Sequence, residues 1–92
     1  MSKLSADQVA YYMNKLPKWK FDQKCLTKTV ELQDFKGSIN FVLAVAELAE
    51  KASHHPEIQI QKNRVKIILT SYDSDGVTGK DFLLAQQIDV LL

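Results

Sequence analysis

The stretch from Asp34 to Pro56 constrains this 92-residue chain more than any other. Phe35, Ile39, Val42, Ala46 and Ala49 recur along one stripe of a 3.6-residue repeat, and Phe41, Val45 and Leu48 widen it. Asp34 stands where a helix N-cap belongs, and the pattern predicts a helix running to about Ala52. That helix cannot pass His55, because Pro56 has no N–H to donate and disfavours helical geometry in the residue before it. So broad an apolar face needs cover on two sides, which a sheet and a partner subunit would supply.

The segments on either side of this helix carry strand patterns. Upstream, Ser5-Ala6-Asp7-Gln8 has the form of a capping box, and Val9, Tyr12, Met13 and Leu16 repeat at helical spacing until Pro17 stops them. Trp19 and Phe21 alternate with lysines as a short strand. After a turn near Asp22-Gln23-Lys24, Leu26, Val30 and Leu32 alternate with Thr27, Thr29 and Glu31, while Lys28 interrupts the apolar face. Cys25 is expected as a small apolar filler. Downstream, Ile58 and Ile60 alternate with Glu57, Gln59 and Gln61; Lys62-Asn63 is a tight turn; and Arg64 to Ser71 is rich in β-branched residues. Beyond a polar loop from Asp73 to Gly76, Thr78 is placed as an N-cap and Asp81 against the positive helix end. Val77 and Phe82 occupy hydrophobic-staple positions, and the last helix is expected to bury Phe82, Ala85, Ile88 and Leu91, with Leu84 beside them. The expected fold is α+β, in the order αββαββα. It is a single domain over 1–92, a four-stranded antiparallel sheet with three helices packed on one face.

Composition excludes several classes. Twelve basic and eleven acidic residues are interspersed, so there is no electrostatic footprint for nucleic acid. One cysteine rules out an internal disulfide framework and suits a reducing compartment. Met1 to Ser5 has no apolar run behind its lysine and does not read as a secretory signal. No stretch approaches the roughly 18 apolar residues of a membrane span. The expectation is a cytoplasmic protein without membrane contact. A chain this short buries only about 60–65% of its unfolded surface, and oligomerisation is a common remedy.

The chain has two histidines, and they are adjacent: His54 and His55, between the long helix and the following strand. The partial negative charge of a helix C-terminus favours an imidazolium. Neighbouring side chains there diverge by about 100°, so the pair can reach one ligand from two directions, and Pro56 limits how far His55 can wander. Capping of the helix end is the structural alternative. Metal binding finds no support: adjacent histidines seldom chelate one ion, and no third histidine or nearby cysteine completes a set.

The spacing Glu50-x-x-x-His54-His55-Pro56 resembles the signature of the pterin-4a-carbinolamine dehydratases. Trp19 to Phe21, the helix from Phe35 to Ala49, Asn63-Arg64-Val65 and Gly79-Lys80-Asp81-Phe82-x-Leu84-Ala85-x-x-Ile88-Asp89 are similar to bacterial members, so the resemblance covers nearly the whole chain. The resemblance implies dehydration of a 4a-hydroxytetrahydropterin to the quinonoid dihydropterin in tetrahydropterin recycling, by general acid and base groups, with no metal or redox cofactor. Carried over by position, His54 and His55 are the paired active-site histidines. Ser53 would line the pterin pocket with them. Thr70, Ser71, Tyr72 and Asp73 would face it as a strand edge offering backbone hydrogen bonds. Glu50, Pro56 and Asp81 fall in supporting positions, orienting imidazoles or capping the last helix. A homodimer or homotetramer is implied.

Two positions depart from the family pattern. Active members usually carry a third histidine where this chain has Tyr72, and many carry an aromatic residue near Lys62. A phenol has a reference pKa of about 10 against about 6.5 for an imidazole, which makes it the poorer acid near neutrality. The family fold also serves as a dimerisation cofactor for a homeodomain transcription factor and as an assembly chaperone for Rubisco. A catalytically weak member acting as an interaction or assembly protein is therefore the alternative that the resemblance carries.

Overall fold

The structure, a computed structural model, describes residues 2–92. Its elements are helix α1 (Ala6–Met13), strands β1 (Lys20–Asp22) and β2 (Cys25–Glu31), helix α2 (Phe35–Ala52), strands β3 (Glu57–Gln61) and β4 (Arg64–Leu69), and helix α3 (Gly79–Val90). A single 3₁₀ turn, Tyr72–Ser74, lies between β4 and α3. The strands form one antiparallel sheet in the order β1-β2-β4-β3, so the second strand of each hairpin takes a central place. This is the α+β architecture expected, with its element order αββαββα.

Register decides which face is buried. Leu26 pairs with Leu69 and Val30 with Val65, and these four side chains, with Ile67, line the covered face of the sheet. From α2 the core receives Phe41, Val45 and Ala49, and from α3 Phe82, Leu84, Ala85 and Ile88. Val9, Leu16 and Trp19 close the end nearest α1.

Lys28 shares the inner face, opposite Ile67, yet its side chain is only 10% exposed. Its ammonium lies 2.8 Å from Asp89 Oδ1, which also accepts from Trp19 Nε1 at 2.9 Å. The cation sits 5.8 Å from the Trp19 ring centroid. What interrupts the apolar pattern of β2 is therefore a charge neutralised from the far end of α3. Ser38, a further polar group, is fully buried on α2 and donates to the carbonyl of Lys62 at 2.9 Å. That bond pins the β3–β4 turn, where Lys62 is left-handed with φ 55°.

Several boundaries and faces differ from the sequence expectation. α1 ends at Met13, before Pro17; turn-type hydrogen bonds then carry Leu16 and Trp19 into the core, because packing rather than helix continuation places them. β1 starts after Trp19. The arc of α2 that meets the sheet centres on Val45, so Phe35 and Ala46, one stripe edge away, face outward. β4 ends at Leu69, and Ser71 forms only an isolated bridge with Gly76. Leu91 falls at the C-cap of α3, past the sheet, and is exposed. Cys25 is only half-buried, at the start of β2.

Candidate active site

The chain leaves α2 through a Schellman closure: Ser53 N–H bonds the carbonyl of Glu50 at 3.2 Å, and His54 N–H that of Ala49 at 3.1 Å. Ser53 takes the left-handed conformation this requires (φ 49°, ψ 40°), which a serine adopts less readily than glycine. The turn fixes the backbone of the next two residues, and Pro56 then directs the chain into β3. His54 and His55 diverge as expected at such an end, and each meets a different carboxylate.

His54 turns inward. Its side chain is 13% exposed, and Nε2 lies 2.5 Å from Oδ1 of Asp81, which is fully buried. Asp81 is the third residue of α3, and its other oxygen, Oδ2, completes a capping box by accepting from Thr78 N–H at 2.8 Å. Oδ2 also accepts from the Ser71 hydroxyl at 2.7 Å. The local rule that places an acidic residue at the third helical position thus puts a carboxylate beside the imidazole. His55 turns outward, with Nε2 2.7 Å from Glu50 Oε2; both side chains are well exposed.

A cleft of about 410 Å³ opens in front of the pair. Ser53, His54, His55, Thr70, Ser71, Tyr72 and Asp73 all line it, so the structure brings together every residue singled out as catalytic or substrate-binding. Glu50, Pro56 and Asp81 are not among its lining residues. The side facing the histidines is a bridge residue followed by a 3₁₀ turn, not a strand edge. Ser71 N–H and carbonyl are engaged across the loop with Gly76, and the Thr70 hydroxyl donates to the Lys24 carbonyl at 2.6 Å. Tyr72 is 79% exposed at the mouth, and no hydrogen bond joins its hydroxyl to either imidazole among the described residues.

Sequence reasoning missed Ser74, Thr78 and Lys80 as wall residues. Thr78 was legible as an N-cap, and knowing that α3 begins beside the end of α2 is what turns a cap into a wall. The loop bearing Tyr72 is tied to the β1–β2 turn by Lys24 Nζ, 2.7 Å from Asp75 Oδ1. The hydrogen bond and charge of Lys24 hold the Asp75 carboxyl below its ordinary value.

The arrangement can hold a flat heterocycle between the helix-end histidines and the loop, with one half-buried, carboxylate-oriented imidazole and one solvent-linked imidazole within reach. Comparison with known proteins gives this geometry its relatives. A protein of Chloroflexus aurantiacus, provisionally named a pterin-4-alpha-carbinolamine dehydratase, is 41% identical over 92 residues, covering 100% of this chain and 99% of its own. One of Sulfurisphaera tokodaii with the same provisional name is 36% identical over 92 residues, with the same coverage. The crystal structure of a transcriptional coactivator/pterin dehydratase from Brucella melitensis superposes with a TM-score of 0.94 at 26% identity, over 98% of each chain. A pterin dehydratase-like RuBisCO assembly factor of the alpha-carboxysome shares the fold at a TM-score of 0.65 and 22% identity, over 79% of this chain and 84% of its own. The family model described as pterin 4 alpha carbinolamine dehydratase matches residues 2–91, and with these full-length relatives it shows that the chain belongs to that family.

Proposed function

We propose that this protein dehydrates a 4a-hydroxytetrahydropterin to the quinonoid dihydropterin, as a cytoplasmic homo-oligomer and without a bound cofactor. The observation that carries the reading is His54, half-buried in the wall of the cleft with Nε2 against a fully buried carboxylate. Asp81, as a carboxylate, accepts a hydrogen bond at Oδ1 from Nε2–H, so a neutral His54 carries its lone pair on Nδ1. That nitrogen has no partner among the described residues.

In the reaction, the N5–H bond and the C4a–O bond break while a double bond forms between N5 and C4a. A base must take the N5 proton, and an acid must protonate the departing hydroxyl so that it leaves as water. His54 is the base in this proposal. His55, coupled through Glu50 to solvent, is the acid and can be reprotonated between turnovers. Tyr72, at the mouth, hydrogen-bonds the departing oxygen in this proposal.

The test is turnover of synthetic 4a-hydroxytetrahydropterin followed by absorbance. Folded wild-type protein is expected to exceed the buffer rate, and His54→Ala to return to it. A wild-type rate equal to the blank would sink the proposal. One observation favours a second reading, an interaction protein: Tyr72, standing at the third-histidine position, is largely exposed to solvent, and its hydroxyl makes no hydrogen bond among the described residues. Protein capture from the native host, set beside pterin binding by calorimetry, separates the two; specific capture without pterin binding selects the second.

A further inference from the structure

Ser71 lines the cleft, but its hydroxyl is not available to a ligand there. The residue is 9% exposed, and its Oγ lies 2.7 Å from Asp81 Oδ2 and 3.0 Å from Thr78 Oγ1. Thr78 Oγ1 in turn accepts from Lys80 N–H at 3.3 Å. Only one assignment of protons satisfies this set. Asp81, as a carboxylate, has no proton to give, so the Ser71 hydroxyl donates to Oδ2. Ser71 then accepts from the Thr78 hydroxyl, whose oxygen accepts from the backbone at the start of α3. Oδ2 therefore receives two donors, Ser71 O–H and Thr78 N–H at 2.8 Å, and among the described residues Oδ1 is left to His54.

We infer that Ser71 is a positioning residue for His54, acting through Asp81: its hydroxyl locks the carboxylate plane so that Oδ1 holds the Nε2–H tautomer and leaves Nδ1 basic. The inference rests on the dehydratase reading for its catalytic consequence, but not for its structural one. Without Ser71 the carboxylate keeps the Thr78 N–H yet loses one of two constraints on its rotation. In a fully buried site that loss is felt at the single imidazole bonded to the other oxygen. Ser71 stands ten residues before Asp81 and reaches it only because the lone bridge between Ser71 and Gly76 folds the loop back over the start of α3.

The test uses long-range proton–nitrogen NMR correlations of the histidine rings in the full chain, with steady-state kinetics alongside. In the wild type, neutral His54 is expected as the Nε2–H tautomer. Ser71→Ala is expected to mix the tautomers and lower kcat by about tenfold, the worth of one hydrogen bond to a charged group, with KM changed less than about twofold. Ser71→Thr, which keeps the hydroxyl, is expected to restore both readouts. Should the alanine variant fail to fold, Ser71→Cys keeps the volume with a weaker donor and is expected to give an intermediate tautomer ratio. A wild-type His54 protonated on Nδ1 overturns the inference with no variant needed. So does a Ser71→Ala protein, or a folded Ser71→Cys protein in its place, whose tautomer ratio matches wild type. If the wild type shows no turnover but the ratio shifts as expected, the dehydratase reading fails and the positioning role stands.

Discussion

Asp81 serves two structures at once, and the two roles can be separated by substitution. Asp81→Ala removes the acceptor for Thr78 N–H, the Ser71 hydroxyl and His54 together, leaving buried donors unpaired beside a lost cap. The expected loss is about 3 kcal/mol of stability, measured by urea unfolding with an unchanged slope. Asp81→Asn keeps an oxygen for the cap, so it is expected to lose about 1 kcal/mol, yet its amide cannot hold His54 as a carboxylate does. Tyr72 offers the opposite case. Because it is 79% exposed, Tyr72→His is expected to leave stability within about 0.5 kcal/mol while raising the dehydration rate, by up to the roughly 10²–10⁴-fold that a positioned acid or base contributes. A rate unchanged by that substitution would remove the third position from the proposed chemistry. Both histidines and Asp81 were legible in the sequence because the signature spacing names them. The role of Ser71 was not, since a serine in a polar loop carries no local mark of the carboxylate it will meet.

At the level of elements, two tethers show how side chains far apart in sequence hold the sheet and its loops in place. The Lys28–Asp89 pair joins the inner face of β2 to the end of α3, with Lys28 nearly buried and Asp89 about a third exposed. That asymmetry predicts unequal costs. Asp89→Ala strands a cation in the core and is expected to destabilise by about 2 kcal/mol. Lys28→Met leaves Asp89 with Trp19 and solvent and is expected to lie within about 1 kcal/mol of wild type, both measured by urea unfolding. The Lys24–Asp75 tether steadies the loop carrying Tyr72 and is well exposed, so its signature is in pH rather than size. Its carboxyl is lowered from 3.8 by Lys24. Its contribution is therefore present above 3.8 and is lost as pH falls through the folded value below that. Thermal unfolding of wild type and Asp75→Asn is expected to differ near neutrality and to converge in acid; a gap that persists at the acid end would contradict the tether. Element type followed from periodicity, because alternation and the 3.6-residue repeat are local signals. The ends of α1 and β4 did not, because Leu16, Trp19 and Ser71 are placed by packing and by one loop bridge rather than by their neighbours in sequence.

For the molecule as a whole, the surface of α2 is the feature that asks for a partner. Phe35 is 56% and Leu43 61% exposed on a helix whose opposite face is already packed on the sheet. We propose that this strip is where copies of the chain meet. Light scattering after size exclusion is expected to give a multiple of 10.5 kDa, and Leu43→Lys to reduce it; a wild-type mass of one chain would contradict the proposal. The same helix shows where sequence and tertiary structure divide the work. Sequence alone determined that residues after Asp34 form a long helix, that Pro56 keeps it from passing His55 and that His54 and His55 stand at the break, since caps, proline and periodicity act through the nearest few residues. It also carried the family, because a spaced signature survives as text. Only the tertiary structure decided which arc of α2 is buried, that Lys28 is paired, and that His54 turns inward to Asp81 while His55 turns outward to Glu50. Those outcomes depend on contacts between residues such as 28 and 89 or 54 and 81, whose approach is set by how the sheet and helices pack and by no property of either segment alone.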